Sequence, residues 1–178
     1  MKRNFSHQPA EQPEFVERVL EINRVARVVK GGKRVRFRAL VVIGDTKGRI
    51  GCGLGKAADV SGAIAKAVAS AKKKIIPIFI QQSTIPYSVR TTYKSAEVLL
   101  KPAPVGTGIV AGSSMRVVLE LAGVKDVVGK SLGSNNKLSN TMATIKALTM
   151  LINPTELRAM RKVTHQPEGE PISSKTTE

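Results

Sequence analysis

Residues 23 to 57, NRVARVVKGGKRVRFRALVVIGDTKGRIGCGLGKA, decide the fold of the N-terminal half. Gly31-Gly32 and Asp45-Thr46-Lys47-Gly48 are turn signals, and the runs between them are rich in Val and Ile and alternate at the strand period of two. Extended outward, this pattern predicts strands over 15–29, 34–43 and 49–53, joined as a three-stranded antiparallel meander. A helix over 57–75 should follow, because Val60, Ile64, Ala67, Val68, Ala71 and Ile75 recur at intervals of three and four and form one apolar stripe. Pro77 ends it.

Beyond residue 77 the pattern begins again. Short strands are expected over 78–81, 85–92 and 95–100, then a loop over 101–112 that contains Pro102, Pro104, Gly106, Gly108 and Gly112. Met115, Val118, Leu119 and Ala122 mark a helix that ends at Gly123. A strand over 126–132 comes next, and Met142, Ile145, Leu148 and Ile152 mark a last helix before Pro154. The predicted fold class is α+β in two small domains, 14–77 and 78–158, between polar tails at 1–13 and 159–178 that are too poor in apolar groups to offset the entropy of ordering.

Charge narrows the function. Lys and Arg number 29 against 13 Asp and Glu, a formal +16. Residues 1–75 hold 17 of the basic and 6 of the acidic side chains, so the N-terminal half faces the polyanion such a charge requires. A membrane surface would need an amphipathic helix with bulky apolar residues or a long apolar span, and neither is present. The start of the chain lacks the apolar core of a secretory signal. Cys52 is alone, and His7 and His165 lie in the polar terminal segments, so neither a disulfide, a metal centre nor a catalytic triad is expected. The chain is read as a non-enzyme with no cofactor and no small-molecule substrate.

Arg24, Arg27, Lys30, Lys33, Arg34, Arg36 and Arg38 fall in one stretch without an acid, centred on Gly31 and Gly32. The strand period puts Arg34, Arg36 and Arg38 on one face and Val35, Phe37 and Ala39 on the other. Like charges along one strand face call for bound anions, and glycines at the tip let the backbone approach a phosphate or a groove wall. Aromatic residues make up 3% of the chain, too few for base-stacking platforms, so folded or double-stranded RNA read by its backbone fits better than single strands.

Two glycine-rich segments invite a nucleotide-binding interpretation. In Arg49-Ile-Gly-Cys-Gly-Leu-Gly-Lys56 the glycines and Lys56 would sit at a helix N-terminus suited to an anion. Gly53-x-Gly55-x-x-Ala58 matches the dinucleotide fingerprint, but no acid stands about 20 residues on, where that motif needs one. Gly106-Thr-Gly108-Ile-Val-Ala111 matches it again, with Asp126 at nearly the right distance, yet Pro102 and Pro104 interrupt the strand that should lead in. Tight turns and close packing explain these glycines better.

The 23–57 segment, together with KPAPVGTGIVAG (101–112), MRVVLELAGVKDV (115–127) and SLGSNN (131–136), resembles the family of small-subunit ribosomal protein five, over roughly residues 14 to 153. The resemblance implies an N-terminal domain like those that bind double-stranded RNA, with a three-stranded antiparallel sheet plus helix, and a C-terminal domain with a mixed sheet plus two helices. It implies a structural constituent of the small ribosomal subunit that supports translational accuracy, in the bacterial cytoplasm or plastid stroma. The implied partners are 16S-type ribosomal RNA, small-subunit proteins four and eight, and messenger RNA near its entry path. Carried onto this chain, the RNA contacts are Arg24, Arg27, Lys30, Gly31, Gly32, Lys33, Arg34 and Arg36, supported by Arg49 and Lys56. The contact with protein four maps to Gly106, Thr107, Gly108 and Arg116. Ser113-Ser114 departs from the small Gly-Ala pair expected there, and either serine is suited to cap the following helix. A non-ribosomal double-stranded-RNA-binding assembly factor is the alternative.

Overall fold

The computed structural model describes residues 15–153, so the predicted tails lie outside the described residues. The first sheet has four strands in the order β1 (Val16–Val29), β2 (Gly32–Gly44), β3 (Arg49–Ala57) and β4 (Ile75–Pro77), all antiparallel. The meander is therefore extended by one strand. Ile75, predicted as the last apolar residue of the helix, instead pairs with Gly51, and Pro77 sits on the sheet edge where its missing N–H does no harm.

Helix α1 (Val60–Lys72), between β3 and β4 in the chain, crosses this sheet; it starts at the first residue of its apolar stripe, later than the predicted residue 57, and ends before Ile75. It seats Ala63, Ala67 and Ala71 on Ala39, Val41 and Ile43 of β2. Small residues on both sides bring the helix backbone onto β3. A Cβ built on Gly53 would stand 2.0 Å from the Ala67 carbonyl oxygen, and one on Gly55 would stand 2.1 Å from that of Ala63. The placement of these glycines at a helix N-terminus is corrected, while close packing holds: Gly51, Gly53 and Gly55 are mid-strand residues that make room for a helix, and Asp59, a carboxylate, occupies the helix N-cap.

The second sheet runs β5 (Val89–Tyr93), β6 (Ala96–Pro102), β8 (Val127–Ser131), β7 (Ile109–Val110). β7 and β8 pair in parallel and the other neighbours antiparallel, so the sheet is mixed as expected. Two residues are too few to show a period, which is why β7 hides inside the predicted 101–112 loop. No strand forms at 78–81 as predicted; that segment makes an isolated bridge between Gln81 and Thr84, and its Ile78 N–H donates to the Gly48 carbonyl at 2.7 Å. Helix α2 (Ser113–Ala122) follows its predicted stripe, whereas α3 (Lys137–Thr149) contains Met142, Ile145 and Leu148 but ends before Ile152, which the stripe includes.

α2 lies between the two sheets. Val42 and Ile50 from the first sheet share one buried cluster with Met115, Val118 and Leu119 of α2, Val98 and Leu100 of β6, and Leu148 of α3. The β2–β3 turn fastens this contact: the Thr46 N–H donates to the Leu121 carbonyl and the Gly48 N–H to that of Ala122, each at 3.0 Å. These would otherwise be orphan carbonyls at the end of α2. Gly123 ends the helix in the left-handed region (φ 94°), and a Cβ there would stand 2.1 Å from the Thr46 oxygen.

Candidate nucleic-acid interface

β3 stops at Ala57, opposite Phe37, while β1 and β2 continue pairing to Val29 opposite Gly32. The continuation is a two-stranded arm about 17 Å long at the usual strand rise. Its turn is Lys30-Gly31, and Gly32, with φ 134°, opens the return strand. Val28, near the tip, is 74% exposed.

Register sorts the predicted residues by face. Arg27 stands directly opposite Arg34, Val25 opposite Arg36, and Arg38 lies between Asn23 and Lys56. Arg27, Arg34, Arg36 and Lys56 line one shallow concavity of about 210 Å³ with Val25, Ala26 and Val29. Opposed like charges destabilise a strand pair unless an anion intervenes. Arg24 pairs with Phe37 and Lys33 with Val28, which puts both on the opposite face of the arm.

Arg49 stands elsewhere. It opens β3 at the far end of the sheet, where its Nε donates to Asp45 Oδ2 at 2.6 Å and its guanidinium lies 5.1 Å from the Phe15 ring centre. Burial pushes the Asp45 carboxyl up, but hydrogen bonds from the Arg49 side chain and from the Arg49 and Lys47 amides outweigh it and hold the group below the usual carboxylate range. Arg49 thus serves the β2–β3 turn that grips α2.

The glycine-rich 106–108 loop is organised from within. Asp126 is 4% exposed, and its Oδ1 accepts from the Gly106 and Gly108 amides, each at 3.0 Å. Those bonds, first that of Gly108, then the Ser83 hydroxyl, hold its carboxyl below the usual range. The amides a dinucleotide phosphate would need are already occupied by a carboxylate of the chain itself. Thr107 Oγ1 donates to the Pro104 carbonyl at 2.8 Å, Val105 is 83% exposed, and Arg116 stands exposed on the first turn of α2. Sequence reasoning weighed Asp126 only as a ribose ligand; a contact spanning 18 residues leaves no local signal. Burial drives the Cys52 thiol up to about 11, and nearby Lys74 lowers it only in part. Among the described residues no cluster of His, Cys, Asp and Glu could hold a metal, and no helix is long and apolar enough to cross a membrane.

Two family models match the chain in the order the fold presents. Ribosomal protein S5, N-terminal domain, matches residues 15–79, and ribosomal protein S5, C-terminal domain, matches residues 91–161. The chain belongs to the ribosomal protein S5 family. As a member of the S5 family it is a structural constituent of the small ribosomal subunit that binds ribosomal RNA. The S5 family is structural and non-enzymatic, which agrees with glycine segments that serve packing and loop order. Both sheets and the three helices of the described residues belong to its two-part α+β layout.

Proposed function

We propose that the arm formed by residues 25–36 inserts into folded small-subunit RNA and clamps neighbouring helices by their phosphates. The supporting observation is the face carrying Arg27, Arg34, Arg36, Arg38 and Lys56, with no acid anywhere between Arg24 and Arg38. Arg24, Lys30, Gly31, Gly32 and Lys33 serve as contacts from the turn and the reverse face. Arg49 contributes by bracing the β2–β3 turn.

In this account the 106–108 loop and Arg116 meet small-subunit protein four, protein eight contacts another part of the surface, and the arm borders the messenger RNA entry path. Through that contact the protein supports decoding accuracy, in a bacterial or plastid ribosome. The units are residues 14–77 and 78–158, a division favoured by the gap between the two family matches. Ionic contacts with phosphate weaken steeply with salt, whereas a protein held also by shape and protein neighbours resists washing. High-salt sedimentation of small subunits should retain the chain. Complete loss that leaves the subunits intact and active would remove the structural role.

A further inference from the structure

The N-termini of α2 and α3 open onto one cavity of about 300 Å³, lined by Gly112, Ser113, Ser114, Ser131, Lys137 and Asn140 among others, with no carboxylate in its wall. The first bond of the α2 ladder runs from the Arg116 N–H to the Gly112 carbonyl, so the amides of Ser113, Ser114 and Met115 precede it. The N-cap, Gly112, has no side chain to satisfy them. α3 differs, since Asn136 Oδ1 accepts from the Leu138 amide at 3.0 Å.

Helix ends alone would mean little, but the side chains point the same way. Ser114 is 7% exposed and its hydroxyl has no hydrogen-bond partner among the described residues. Every fully enclosed side-chain polar atom of the described residues is partnered, so this hydroxyl must open onto the cavity it lines. Asn140, 5% exposed, accepts the Ser131 hydroxyl on Oδ1 at 3.1 Å, which leaves its amide hydrogens available. Lys137 brings an ammonium to the rim, 3.9 Å from the carboxylate of Glu21. Hydroxyl and amide donors, two helix dipoles and one cation converge on the same space.

We propose that this cavity is a phosphate-binding site, filled either by a backbone phosphate of the ribosomal RNA or by the phosphate of a free small molecule. It uses none of the residues of the basic arm, so it stands or falls separately from that account. The full-length chain is titrated with inorganic phosphate at constant ionic strength while backbone amide resonances are followed. Saturable shifts should centre on Ser113, Ser114 and Met115. Ser114→Ala should weaken binding about tenfold, the loss of one hydrogen bond to a charged group, and Lys137→Gln, a change at the exposed rim that leaves the core intact, should weaken it as well. Absence of saturable shifts, or binding unchanged in both variants, overturns the proposal.

The source is then distinguished in assembled small subunits with Ser113→Cys carrying an aryl-azide crosslinker, placed in a Cys52→Ala background. A crosslink to RNA assigns the site to a backbone phosphate. Thiol labelling slowed by added inorganic phosphate, without an RNA crosslink, assigns it to a free phosphate. A crosslink only to a neighbouring protein, with labelling insensitive to phosphate, overturns the proposal.

Discussion

Asp126 does for the 106–108 loop what a bound anion would otherwise do, accepting the Gly106 and Gly108 amides on one carboxylate oxygen. Its carboxyl titrates below the usual range in the folded chain, so its contribution is complete above the unfolded value near 4 and fades as pH falls through the folded one. Asp126→Asn should lower the thermal midpoint at pH 7, and the gap from the parent should narrow as pH falls below about 4; a gap that does not change with pH would remove the carboxylate's charge as its cause. Cys52 makes the opposite case. With its thiol driven up to about 11, alkylation at pH 8 should be far slower in the folded chain than in urea. Neither behaviour was legible in the sequence, because burial and a long-range contact set both groups.

At the scale of elements, the fit of α1 on β3 depends on small residues meeting small residues. Gly53→Ala forces a Cβ against a backbone carbonyl that cannot move aside without moving the helix. It should cost roughly 1–3 kcal/mol in urea unfolding, as overpacked cores do. The sequence announced these glycines but suggested two uses for them, a phosphate loop or close packing. The pairing of Gly55 with Ala39, which continues the strand beyond residue 53, and the close approach of α1 to Gly53 and Gly55 separate the two. The arm was more legible, since alternation alone put Arg34, Arg36 and Arg38 on one face. That Arg24 and Lys33 face away followed only from the register with β1. Replacing Arg27, Arg34 and Arg36 with Ala should reduce the salt dependence of RNA binding by about 2–3 in log–log slope, and exposed as they are, it should leave the thermal midpoint nearly unchanged.

For the molecule as a whole, the shared cluster around α2 ties the two sheets together. Val42 and Ile50 are buried against the second half, and the β2–β3 turn caps the end of α2. Periodicity located both halves but not the seam, because the residues that make it lie far apart in sequence. Gly123→Ala, which meets the Thr46 oxygen and must also adopt a positive φ, should destabilise both sheets together. Hydrogen exchange should report faster opening in β2 and β6 alike. The seam gives the arm a fixed base for the proposed insertion into RNA. The most direct test of that central claim is a protein–RNA crosslinking map of assembled small subunits, comparing the parent with a chain in which Lys30, Lys33 and Arg34 are all Ala. The account predicts crosslinks from the arm to ribosomal RNA in the parent and their loss in the variant; an arm that crosslinks only to protein, or whose RNA crosslinks survive the substitutions, would contradict it.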